Sequence, residues 1–136
     1  MRLLGRFLPG NDRGGAAVEF AIAAPFLFTL ILGSIDMGRM FYVRQGLEYA
    51  TEQAARYYML NPSSASSAVT TYLQSQMPGG MGSSVSVSYT DTTNCNSMTS
   101  VTCTQIQATY SFSFIAQYLG LGTKTLKATA QAVRAT

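Results

Sequence analysis

FAIAAPFLFTLILGSI, residues 20–35, is a run of sixteen uncharged residues bounded by Glu19 and Asp36. It follows an opening MRLLGRFLPGNDRG that carries Arg2, Arg6 and Arg13 among scattered Gly and Pro. Extended back to Gly15, the uncharged stretch with Glu19 at its front covers 21 residues. As a helix rising about 1.5 Å per residue it reaches roughly 30 Å, the thickness of a hydrocarbon core. A basic leader followed by a spanning-length apolar run is a membrane-targeting pattern, and it fixes how the rest of the chain is read.

Downstream, no helix breaker appears until Asn61-Pro62, while Met40, Val43, Leu47, Ala50, Ala54 and Tyr57 recur at alternating spacings of three and four. That period places them on one helical face. Arg44 with Glu48, and Glu52 with Arg56, are opposite charges at i,i+4 on the solvated side. Residues 16–60 are therefore expected to form one helix, apolar in its first half and amphipathic in its second, interrupted softly by Pro25, Gly33, Gly38 and Gly46. Pro62 ends it.

Residues 61–136 differ in kind, with thirteen Ser, thirteen Thr and only Asp91, Lys124, Lys127 and Arg134 charged. Residues 65–77 have the pattern of a short helix before the breaker Pro78-Gly79-Gly80-Met81-Gly82. Strict alternation over residues 85–89 and 105–114 predicts two half-buried strands, and residues 125–133 a third in which Leu126, Ala128, Ala130 and Ala132 face one way. The expected fold is α+β: a long N-terminal helix, then a short helix and a small antiparallel sheet. Four regions follow: 1–14 as a cleaved leader, 15–35 as a transmembrane segment, 36–60 as the amphipathic continuation and 61–136 as a small Ser/Thr-rich exported region.

Composition narrows function as well. After Arg13 the chain holds six basic and five acidic residues, which leaves no electrostatic footprint for nucleic acid. Histidine is absent and there are two cysteines, so imidazole general-base catalysis and a four-ligand Cys/His zinc centre have no residues to use. We expect neither catalysis nor a metal or cofactor. Gly120-Leu121-Gly122-Thr123-Lys124 lacks the spacing of a phosphate loop and joins two strand patterns, so it reads as a turn. Cys95 and Cys103 lie between two predicted strands, and in an exported domain they are expected to pair.

At the junction of leader and apolar run stands Arg13-Gly14-Gly15-Ala16-Ala17-Val18-Glu19-Phe20, continued by Ala21-Ile22-Ala23-Ala24-Pro25. This resembles the TadE-like pseudopilins of tight-adherence (Tad) pili, a branch of type IV pili. The resemblance runs through Gly33, Asp36-Met37-Gly38-Arg39 and the Tyr/Ala-rich helix to about Tyr58, and returns faintly in Thr125-Leu126-Lys127-Ala128-Thr129-Ala130. It implies a minor pseudopilin cut by a prepilin peptidase after the glycine five residues before a Glu-Phe pair, here between Gly14 and Gly15. It also implies that Glu19 and Phe20 serve assembly, Glu19 by pairing with the new α-amino group of its own or a neighbouring chain. The implied partners are inner-membrane lipid, the peptidase, other pilins and pseudopilins and the Tad secretion machinery. The implied location is the bacterial inner membrane, crossed once with the N-terminus cytoplasmic. The alternative is a signal-anchored periplasmic module unrelated to pili, in which the helix is only a tether.

Overall fold

The computed structural model describes residues 13–93, 95, 101–115, 120 and 122–135. The expected leader lies outside them except for Arg13 and Gly14. Helix α1 runs unbroken from Arg13 to Leu60, 48 residues and so about 70 Å, with Pro25 inside it. Among the described residues it already includes Arg13-Gly14-Gly15, three residues ahead of the expected start at residue 16. Asn61 closes it by donating its backbone N–H to the Tyr57 carbonyl (3.0 Å), before Pro62 turns the chain.

Helix α2 (Ser66–Gln76) packs Val69 and Leu73 inward and stacks Tyr72 on Tyr57 of α1, ring centroids 4.6 Å apart. The glycine-rich breaker is a 3-10 segment, Pro78–Ser84, kinked where Gly79 and Gly80 take φ of 66° and 72°, values that glycine tolerates best. Pro78 packs on Gly46 so closely that a Cβ at that position would meet its ring at 2.6 Å. A glycine in mid-helix therefore lets the connection approach α1.

Three strands complete the chain: β1 (Val85–Thr93), β2 (Val101–Ser113) and β3 (Thr123–Ala135), an antiparallel meander in the order β1-β2-β3. The expected alternation holds, with Val85, Ile106, Ala108, Phe112, Leu126, Ala128 and Ala132 buried on one face. That face closes over Val43, Leu47, Ala50 and Ala54 of α1. Each strand is longer than its alternating core. Thr93 still pairs with Thr102, and Val101 with Ala135, because Ser/Thr side chains suit a pleated surface whether or not they are buried. Cys103 accordingly lies on β2 and is buried, and its disulfide to Cys95, with Cα atoms 5.9 Å apart, ties the β1–β2 connection to the sheet.

Tyrosines and one arginine lock the far end of the domain. Tyr89 donates to the Ser66 carbonyl (3.0 Å) and shares a hydrogen bond with Thr70 (2.8 Å). Burial lifts its phenol above the ordinary value, Thr70 opposes the rise and Tyr58 adds to it. The neutral phenol is thus favoured, so this contact holds below the usual phenol range and is lost as pH rises through the raised value. Arg134 lies 4.3 Å from the Tyr58 ring centroid and donates to the Pro62 carbonyl (3.0 Å). Tyr42 and Tyr49, by contrast, are exposed and contribute nothing to the core.

Candidate functional site

Among the described residues, nothing covers the first half of α1. Val18, Phe20, Ile22, Phe26, Phe28 and Leu30 are all exposed, and an eighteen-residue apolar window of this helix has no part buried. The polar side chains within it satisfy themselves. Thr29 donates its hydroxyl to the Pro25 carbonyl and Ser34 to the Leu30 carbonyl, both at 2.8 Å. Hydroxyls folded back onto i−4 carbonyls present little polarity to an apolar surrounding.

The candidate processing and assembly residues all lie at the start of this exposed half. Gly14 and Gly15 are in the first helical turn, and a Cβ added at either meets nothing within 4 Å. Glu19 is exposed, one residue before the exposed Phe20. Among the described residues, no acidic side chain falls in the first turn of α1, and Glu19 stands in its second turn. Cys95 and Cys103 sit apart from this cluster, in the sheet domain.

Where the exposed half ends, Asp36 takes a role that composition alone did not reveal. It is 2% exposed, accepts a hydrogen bond from the Ile115 backbone N–H at 3.0 Å and pairs with Arg39 at 2.9 Å. The carboxylate pins the helix, at the residue where its bare half stops, to the chain just beyond β2. Its Arg39 partner was visible in the i,i+3 spacing, whereas the Ile115 contact spans 79 residues and had no local signal. Arg39 also sits 5.3 Å from the Phe112 ring centroid. Of the two i,i+4 pairs on the outer face, Arg44 and Glu48 meet at 3.0 Å. The equally spaced Glu52 and Arg56 form no ion pair among the described residues.

These features define a class: a single bare apolar helix, suited to anchoring in a membrane, that continues without a break into a small α+β domain. Residues 14–56 match the family model of TadE-like protein. The match begins at Gly14 and covers the bare half, the Asp36 junction and most of the packed half, so the resemblance drawn from Gly14, Glu19 and the following helix holds over that span. No curated protein and no solved structure matches the chain.

Proposed function

We propose that this chain is a minor pseudopilin of a Tad-type pilus, cut by a prepilin peptidase between Gly14 and Gly15 and held in the inner membrane until assembly. The observation that carries the reading is the arrangement at the start of α1. A lone carboxylate, Glu19, stands at the front of an uncovered apolar helix, five residues after a glycine whose surroundings are open. Cutting there makes Glu19 the fifth residue of the mature chain, close to the new α-amino group at the positive end of the helix. A charge-assisted hydrogen bond between an ammonium and this carboxylate, within one chain or between neighbours, would align subunits where little water competes.

The protein's work on this reading is packing and not catalysis. The N-terminus is cytoplasmic and the α+β domain lies outside, an orientation supported by Arg2, Arg6 and Arg13 on one side against Arg39 and Arg44 on the other. Other pilins, pseudopilins and the Tad machinery are the partners.

Intact mass of the protein from cells making the cognate peptidase tests the register. The expected product begins Gly-Ala-Ala-Val-Glu-Phe, and Gly14→Leu should accumulate uncut. A Cβ at this position meets nothing within 4 Å among the described residues, so a block would act on the peptidase's approach to the backbone and not on the packing of the domain. A cut at another bond, or normal maturation of Gly14→Leu, overturns the assignment.

A further inference from the structure

Just beyond the bare half of α1, a cleft of about 300 Å³ opens between the helix and the end of β2. Arg39, Tyr42 and Val43 form one wall, and Tyr110, Phe112 and Ser113 the other. Arg39 and Tyr42 follow Ile35 by four and seven residues, about 6 and 10 Å along the helix axis. If residues 20–35 fill the hydrocarbon core, the cleft sits at the depth of the lipid headgroups.

Its chemistry is that of a phosphate ligand set on an apolar floor. Among the described residues, Arg39 uses Nη1 on Asp36 and Phe112 holds the guanidinium over its ring face, which leaves N–H donors for a ligand. The hydroxyls of Tyr42, Tyr110 and Ser113 make no hydrogen bond among the described residues, so each has a donor to offer. A planar guanidinium with flanking hydroxyl donors suits a phosphodiester, over a nearly buried floor of Val43 and Phe112, while the exposed Tyr42 ring suits the glycerol and first methylenes. The remaining carboxylate nearby, Asp36, is buried and already engaged by Arg39 and the Ile115 N–H.

We propose that this cleft seats the phosphate of a membrane glycerophospholipid, bound by Arg39 with Tyr42, Tyr110 and Ser113, so that the domain is docked on the bilayer surface and not merely tethered to it. The proposal rests on the membrane-anchor reading of α1. Its position supports lipid over a free anion, since the exposed Ile35 precedes Arg39 by four and Tyr42 by seven residues and so lies on the same side of the helix.

The test uses the full chain reconstituted in vesicles of equal parts phosphatidylglycerol and phosphatidylcholine, then extracted in mild detergent for native mass spectrometry. One phospholipid should be retained per chain. Arg39→Gln should lower retention roughly tenfold, the loss expected for one charge-assisted contact. Tyr42→Phe, at an exposed position outside the core, should lower it less. Arg44→Gln, which disturbs only an exposed pair on the outer face, should leave it unchanged. The Tyr42→Phe result stands even if Arg39→Gln perturbs the Asp36 junction. Equal retention by wild type, Arg39→Gln and Tyr42→Phe overturns the site. Displacement of the lipid by millimolar inorganic phosphate overturns its assignment to lipid. A wild-type chain that fails to float with the vesicles overturns the anchor reading, whereas one that floats and retains no lipid overturns the cleft alone.

Discussion

The two halves of α1 share one continuous backbone and almost nothing else. Between residues 14 and 35 no side chain is buried, and the helix is held by its own backbone bonds with two hydroxyls folded onto their carbonyls. Between residues 36 and 60, Leu47, Ala50 and Ala54 are wholly buried under the sheet, and Tyr57 is stacked on α2. Isolated helices in water are marginal, so the second half owes its stability to tertiary burial, while the first has its backbone satisfied internally and needs an apolar surrounding for its side chains. Asp36 marks the seam. One helix thus combines a candidate anchor with a core element, because its side chains change surroundings at that residue.

The sharpest way to break this contrast is to remove the same group from both halves. Leu47→Ala opens a cavity beneath the sheet and should cost the domain about 2–5 kcal/mol. Leu30→Ala, at a position 70% exposed, should leave the unfolding of the domain where it was. Denaturant unfolding in detergent, followed by a signal from the sheet, checks both. Equal losses would mean that the halves fold as one unit.

The disulfide gives a somewhat smaller effect and reports on location as well. Closing a loop with a sequence separation of 8 residues stabilises by about 2.5 kcal/mol in the chain-entropy model, so reduction should lower the unfolding free energy by that order. In cells, thiols at Cys95 and Cys103 should resist alkylation unless first reduced, because the bond persists only on the oxidising side of the membrane. Free thiols in the mature protein would place the domain on the wrong side. Smaller again is the seam. Asp36→Ala strips a partner from the Ile115 N–H and from Arg39 and should cost about 1–3 kcal/mol, and Asp36→Asn, which keeps an acceptor, should restore part of it.

How much of this was legible in the sequence follows from range. The apolar stripe from Met40 to Tyr57 and the alternation from Ile106 to Phe114 are local periodicities, and the structure buries or half-buries every member of both. The ends of the strands were not legible, since Asp91, Thr92 and Thr93 look like loop residues until Thr104, Cys103 and Thr102 pair with them. The helix face is also wider than its stripe: Thr51, Ala55 and Tyr58 are buried because a three-stranded sheet and α2 wrap more of the circumference than a narrow seam requires. Gly46 looked like a weakness in the helix and is a contact point for Pro78, which no spacing rule anticipates. At the candidate site, the Gly14 to Phe20 pattern is contiguous and so is open to local reading, and the family match begins at Gly14. The Asp36 to Ile115 clasp was not, because its two ends meet only after the sheet has formed.

The last test is the one whose expected effect on the folded domain is zero. Glu19 is exposed and far along α1 from the buried stripe, so Glu19→Ala should leave unfolding, disulfide formation and leader removal unchanged. A mere tether would tolerate or welcome the change, because it removes a carboxylate from the edge of an apolar segment and lowers the cost of insertion. In a pseudopilin the same change strands an α-amino group in lipid surroundings without its partner, where an unpaired ammonium is costly. Pilus production should then fall while the processed protein accumulates at its normal mass. Surface piliation measured beside an immunoblot for the processed form separates the two readings. Normal piliation with normal processing would show that the bare half of α1 acts as an anchor and nothing more, and a loss confined to assembly would assign its single carboxylate to contacts between subunits.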